Sequence, residues 1–250
     1  MRTISYLSEP CPVSMAKYWH GITSLDHFWM RRRFSAFSKL LKSHPLGDTC
    51  VEIGCGQGYL QHQIHSGLHK TVDGFDLDEV ALQQNISLSS SLFLYNIYDK
   101  FSDYRERFDS IIMFDVLEHI EDDSSFVDAA LFHLKPHGRL YVNVPAHNLL
   151  FSDYDRHGGH LRRYSIKDFS RIALENDLSV LSYSYWGMPY FPILLLRKYY
   201  LQLFRPLDPV ASGFVAGPAF IDNLLFALGS LEIFPQHFFG TSLMLVFAKL

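Results

Sequence analysis

Three stretches of the chain gather side chains whose types and spacing suit chemistry. The first, VEIGCGQGYL at 51–60, runs a short apolar strand into a turn carrying Gly54, Gly56 and Gly58. Alternating glycines let a backbone approach a ligand closely. A dinucleotide loop reads G-x-G-x-x-G, with the pyrophosphate at the helix N-terminus. Tyr59 stands where that pattern needs its third glycine, so the turn suits a different ligand. Glu52 suits a ligand ammonium, with a cap on the following helix as the structural alternative. Asp76 ends a second apolar run, where a carboxylate can accept both hydroxyls of a ribose. Asp78 is its nearest rival, and a strand-end turn is the structural alternative. Asn96 and Ile97 end a third run and suit an adenine edge and face. Taken in order, these groups describe a nucleoside that carries something other than a diphosphate.

The second stretch, FDVLEHI, places Asp115, Glu118 and His119 at i, i+3 and i+4, hence on one face of an expected helix. Acids near the positive end of a helix are the structural alternative there. The third, PAHNLLFSDYDRHGGHLRRY, offers His147, Asp153, Asp155, His157, His160, Arg162, Arg163 and Tyr164 in one polar run. Imidazoles and carboxylates of this kind can remove a proton from a reacting group. Arg162 and Arg163 are either a solvated helix entry or a fork for an anionic substrate group. His27, Trp29 and Arg33 are spaced to line one face of an N-terminal helix, as core or as a lid over a cleft. Cys55 reads as a small loop residue rather than a nucleophile.

These groups need elements to position them. Helix is expected over 18–42, with Phe34, Phe37, Leu40 and Leu41 at helical spacing. Beyond it, TCVEIG, KTVDGFDLD, SLFLYNI, FDSIIMFDVL, GRLYVNVP, SVLSYSYW and TSLMLVFAKL read as seven strands. Helical runs alternate with most of them, which argues a parallel sheet covered on both faces. In such a sheet ligands bind beyond the carboxyl ends of the strands. The division expected is a single domain: a helical lid at 1–46, a cofactor-binding core at 47–186, an apolar helical cap at 187–240 and a last strand at 241–250.

VEIGCGQG, GFDLDE, FDSIIMFDVLEHI and LKPHGRLYVNVP resemble, in order and spacing, the motifs of class I S-adenosylmethionine-dependent methyltransferases. HFWMRRRF, DRHGGHLRRYSIKDF and FFGTSLMLVFAKL look like a bacterial subgroup whose members often sit near glycan or lipid biosynthesis. The resemblance implies a Rossmann-like α/β fold, a seven-stranded sheet with an antiparallel last strand. It implies S-adenosyl-L-methionine as cofactor, its amino acid end on Glu52 and on Gly54, Gly56 and Gly58. Asp76 would then take the ribose, and Asn96 with Ile97 the adenine, Asn96 replacing the more usual aspartate. Trp29 and Arg33 would close over the cofactor. Acid-x-x-Glu-His with a later His also resembles two metal-dependent O-methyltransferase groups, those of the ubiquinone pathway and those modifying small-RNA 3′ ends. That likeness implies a divalent metal on Asp115, Glu118, His119 and His160. Without a metal, His119 or His160 would act as a general base. His147, Arg162, Arg163 and Tyr164 are the candidates for the substrate.

Composition narrows the partners. A 250-residue chain that is 48% hydrophobic and 19% charged can bury a proper core. A formal charge of -4 gives no overall pull toward nucleic acid, which disfavours an RNA 2′-O-methyltransferase. The expected acceptor is a small or lipid-like molecule, reached at oxygen, with the 187–240 segment as its cap or as a membrane-surface contact. A non-catalytic cofactor-fold protein is the reading from another class. Cys11, Cys50 and Cys55 show no disulfide or zinc spacing, and no apolar leader is evident. A cytoplasmic protein, peripheral at the membrane if the cap contacts lipid, is the expectation; composition does not address oligomeric state.

Overall fold

The computed structural model describes residues 3–11, 24–206, 209 and 218–250. The seven expected strands are present as β2 (Cys50–Ile53), β3 (Asp73–Asp76), β4 (Leu92–Leu94), β5 (Phe108–Phe114), β6 (Leu134–Pro145), β7 (Leu178–Trp186) and β8 (Ser242–Lys249). An eighth, β1 (Ile4–Tyr6), pairs in parallel with β4. The sheet order is β1-β4-β3-β2-β5-β6-β8-β7, and β8 runs antiparallel to both neighbours. The fold is therefore a Rossmann-like α/β sheet with one more strand than the apolar runs suggest. β1 has three residues, none of them buried, and so leaves no apolar run to read.

Helices cover both faces, which is why the central strands are apolar on both sides. On β8, Leu243, Leu245 and Phe247 join the cluster containing Phe75, Phe108 and Phe169, while Met244 and Val246 join the cluster of Phe37, Phe114, Tyr141 and Trp186. That alternation is the two-residue period of a strand packed between two layers. The layers include α1 (Phe28–Leu40), α2 (Tyr59–Leu68), α3 (Glu79–Gln83), α4 (Asp123–His133), α5 (Asp153–His157) and α6 (Ile166–Glu175). α7 (Phe191–Phe204) and α8 (Ala219–Ser230) lie between β7 and β8. Residues 207, 208 and 210–217 of the apolar segment fall outside the described residues, as do 18–23 of the expected N-terminal helix.

Two expectations change. The N-terminal helix starts at Phe28, where the His27 side chain accepts the Trp29 N–H. The expected helix from Asp115 does not form. Asp115 has φ 57, and only Leu117–His119 make a single 3₁₀ turn. A left-handed residue cannot lie on the same helical face as its successors, so the i, i+3, i+4 argument fails there.

One buried ion pair ties the two ends of the chain together. Arg32 on α1 reaches Glu232 just after α8 at 3.1 Å, with both side chains almost wholly inaccessible. Glu232 also accepts the backbone N–H groups of Gly187 and Met188 at 2.9 Å. Next to it, Asp222 accepts the Phe28 N–H at 3.3 Å. Removing one partner of a buried pair leaves an uncompensated charge. Glu232→Gln should therefore lower stability to urea by about 3–5 kcal/mol, measured by the shift in unfolding midpoint at constant slope.

Candidate functional site

The carboxyl ends of β2, β3, β4 and β5 surround a cavity of about 290 Å³. Its wall includes Met30 and Arg33 of α1, Glu52, the turn from Gly54 to Gln57, Tyr59, Asp76, Asp78, Asn96, Ile97, Asp115 and His119. Gly54, Gly56 and Gly58 have φ of 76, 50 and 74. A Cβ on Gly54 would stand 2.5 Å from Val116, and one on Gly58 2.4 Å from Asn85. Gly56 differs, because a Cβ there would meet nothing within 4 Å. Its backbone therefore faces open space.

Asp76 holds the turn in this shape. One carboxylate oxygen accepts the Gly56 N–H at 2.7 Å, and the other accepts those of Leu77 and Asp78 at 2.7 and 2.8 Å. Each oxygen has two lone pairs, so the group retains capacity for a ligand hydroxyl. Burial raises its pKa against those three bonds. Asp78, its rival for the ribose, caps α3 by accepting the Ala81 N–H at 3.1 Å. Glu52 is more isolated. It is buried, its Oε2 has no hydrogen-bond partner among the described residues, and desolvation pushes its pKa up to about 8. An acid held in that condition favours a cationic ligand group. Asn96 caps the turn that follows β4 by accepting the Tyr98 N–H, which leaves it at the cavity wall beside Ile97.

A second, smaller cavity of about 70 Å³ shares Asp115 and His119 with the first. It is also lined by Trp29, Glu118, Tyr154, His160, Arg163, Leu194 and Arg197. His119 and His160 meet edge to face, with ring centroids 4.8 Å apart. Both rings are oriented through Nδ1. His119 Nδ1 lies 3.2 Å from the Gly159 carbonyl, and His160 Nδ1 3.2 Å from the Asp155 carboxylate. Desolvation, with His160 adding to it, pushes the His119 pKa down to about 4. Glu118 is buried, and desolvation followed by the nearby Asp115 raises its pKa well above the usual carboxylate range. Its Oε2 has no partner among the described residues. One ligand atom from each of Glu118, His119 and His160 lies within 4.8 Å of the others.

The structure thus gathers most of the residues singled out by sequence, and uses others elsewhere. Asp115 stands outside the Glu118–His119–His160 group. It pairs with Arg33, accepts the Asn143 side-chain amide at 2.7 Å and lines both cavities. Trp29 lines the second cavity rather than the first and packs on Trp186 at 4.6 Å. Arg162 and Tyr164 line neither cavity. Arg162 bonds Asp123 and the Glu121 carbonyl, and the buried Tyr164 hydroxyl donates to the Leu117 carbonyl at 2.9 Å. His147 also lies outside both cavities, stacked on Tyr185 at 4.9 Å. Arg163 reaches the second cavity with its guanidinium on Asp155. Tyr154 and Arg197 were not singled out as site residues. Arg197 sits in an otherwise apolar helix, an available signal, but its cavity neighbour Tyr154 lies on a different element.

A model of the methyltransferase domain family matches residues 25–183. A ubiquinone biosynthesis O-methyltransferase from Xylella fastidiosa (strain 9a5c) is 30% identical over 109 residues, 41% of this chain and 44% of that protein. The match thus spans less than half the length of the curated relative. Among solved structures, phosphoethanolamine N-methyltransferase 2 of Haemonchus contortus, in complex with S-adenosyl-L-methionine, superposes with a TM-score of 0.53 at 18% identity over 86% of this chain and 52% of that one. Geranyl diphosphate C-methyltransferase of Streptomyces coelicolor A3(2) gives 0.55 at 15% identity over 86% and 76%. These two likenesses establish the fold.

Glu52 makes the stability of the ligand-free protein depend on pH. Its carboxyl is raised from 4.5 to about 8, so its contribution is fully present below pH 4.5 and is lost as pH climbs through 8. The loss is on the order of 4–5 kcal/mol at most. Glu52→Gln should flatten this part of the profile, read as urea stability at pH 5, 6.5 and 8.5.

Proposed function

Because the chain belongs to the methyltransferase domain family, we propose that it transfers the methyl group of S-adenosylmethionine to an oxygen of a small or lipid-like acceptor. One observation carries the reading: Glu52, Gly56, Asp76, Asn96 and Ile97 line one cavity that shares Asp115 and His119 with a second beside it. The fit to the cofactor rests on two features. Glu52 has an unpartnered buried oxygen suited to an ammonium, and the backbone at Gly56 faces open space. Asp76 has one lone pair left for a ribose hydroxyl, and Asn96 with Ile97 would take the adenine. The acceptor would enter the second cavity, whose wall includes Leu194 of the apolar helix α7. The partial match to an enzyme named as an O-methyltransferase supports oxygen as the acceptor atom.

Transfer from a sulfonium is an in-line displacement that depends mainly on proximity and alignment. Arg33 and Asp115 fix the wall between the two cavities. Burial keeps His119 neutral at physiological pH, and its bond to Gly159 places the proton on Nδ1. The other ring nitrogen is then the basic one, and it can take the proton of an acceptor hydroxyl. The same donors fit a divalent metal. Glu118 offers an unpartnered oxygen, and both imidazoles are held at Nδ1 by an acceptor, as metal-binding histidines usually are. Bound on Glu118, His119 and His160, such an ion would act as a Lewis acid toward a deprotonated acceptor oxygen. Two imidazoles favour manganese, iron, cobalt or zinc over magnesium.

Calorimetry tests the cofactor reading: S-adenosylmethionine and S-adenosylhomocysteine should bind saturably, and NAD should not. Saturable binding of NAD alone would sink it. For the metal, exhaustive chelation should abolish methyl transfer to whichever member of a panel of hydroxy acids and catechols is turned over, while leaving S-adenosylhomocysteine binding intact. His119→Ala and His160→Ala should behave alike. Full turnover after chelation would return His119 to the role of general base.

A further inference from the structure

The second cavity contains one charge that the proposed transfer does not use. Arg197 comes from α7, and with Leu194 one turn earlier it lines the cavity. Its guanidinium lies over the Tyr154 ring, 4.0 Å from the centroid. It forms no hydrogen bond or ion pair with the described residues, and its buried Nε has no partner among them. The neighbouring cations are all matched. Arg163 contacts Asp155 through Nε at 2.9 Å and through its terminal nitrogen at 2.7 Å. Arg33 pairs with Asp115, and Lys198 donates to the Leu149 carbonyl. Asp155 cannot serve Arg197 as well, since its oxygens already meet Arg163, His160 and both donors of Ser152.

Stacking on Tyr154 orients the guanidinium plane, but it does not satisfy the N–H groups along the edge. Arg197 is half-buried, and a partly desolvated cation without a counter-ion is stabilised when a ligand supplies the anion. Desolvation lowers the Arg197 pKa, consistent with that environment. The guanidinium fork matches a planar carboxylate or a phosphate in two parallel hydrogen bonds.

We propose that Arg197 binds an anionic group of the methyl acceptor, a carboxylate or a phosphate, so that the substrate is an acid rather than a neutral alcohol. This rests on the second cavity being the acceptor site. A volume of about 70 Å³ admits only a small head, so the anionic group and the reacting oxygen must lie close together on the acceptor. Arg197 then reads the anion from one wall while His119 faces the reacting oxygen from another. Any apolar remainder leaves past Leu194.

The test uses three probes on the protein saturated with S-adenosylhomocysteine: benzoate, phenyl phosphate and benzyl alcohol, titrated by NMR. One of the two anions should bind at least about tenfold tighter than the alcohol, and the preferred anion identifies the head group. Arg197→Gln should remove the margin, and Arg197→Lys should restore part of it, with S-adenosylhomocysteine affinity unchanged in both. Equal or absent binding of anions and alcohol by the native protein would overturn the proposal, as would a margin that survives in Arg197→Gln. If the native protein fails to bind S-adenosylhomocysteine at all, the methyl-transfer reading fails instead.

Discussion

A carboxylate partly withdrawn from water must be met by donors, and Asp115 meets them on two other elements. Arg33 comes from α1, and the Asn143 amide comes from β6. The Asn143 side-chain oxygen in turn accepts the Trp186 indole N–H at 2.8 Å, at the end of β7. The Asp115 backbone N–H bonds the Asn143 carbonyl at 2.8 Å. This single chain of contacts fixes the N-terminal helix, the ends of three strands and the wall between the two cavities. Loosening any member would strand a partly buried charge, which is why the helix over the cleft sits where it does. Asp is among the residues that best tolerate the left-handed backbone at this turn.

The two cavities differ in electrical character. The first collects acids under strain from burial, Glu52 and Asp76, at a turn whose backbone is open toward the ligand. The second has an arginine without a counter-ion. Under the proposed reading, a cationic donor and an anionic acceptor are drawn to opposite sides of the Asp115–His119 wall. Transfer discharges the sulfonium, so the attraction between the two ligands is weaker after reaction than before it. A weaker mutual hold favours departure of the products.

How much of this could be read in the residues depended on the range of the interaction that decided each one. Seven strands showed as apolar runs, because burial on both faces is a local signature. The turn from Glu52 to Gly58 and the acid at Asp76 were legible for the same reason, since strand, glycine turn and acid follow in order. Asp115 was misplaced on a helix because i, i+3, i+4 spacing cannot reveal a positive φ. Arg162 was placed at the substrate because its partner Asp123 lies 39 residues away. Tyr164 was misread similarly, its hydroxyl being used 47 residues back at Leu117. In the sequence Arg197 is just one of the basic residues interleaved in the apolar segment, with Lys198 and Arg205, because only the packing of α7 against α5 brings it over Tyr154. Acids at Asp122 and Asp123, beginning α4, were the one available hint that the paired arginines had an internal destination.

The placement of β8 has a consequence for synthesis. β8 is inserted between β6 and β7, pairing with both, although it is the latest of the eight strands to be made. Until it emerges from the ribosome, β6 lacks a partner on one edge and β7 lacks any partner strand. Arg32 waits longer still, because Glu232 lies 200 residues further along the chain. The nascent chain must therefore hold a half-built sheet in a form that does not pair with other chains, and long-range closure of this kind is slow. In the interval between the sixth strand and the eighth, those edges are the part of the chain most open to pairing with another chain.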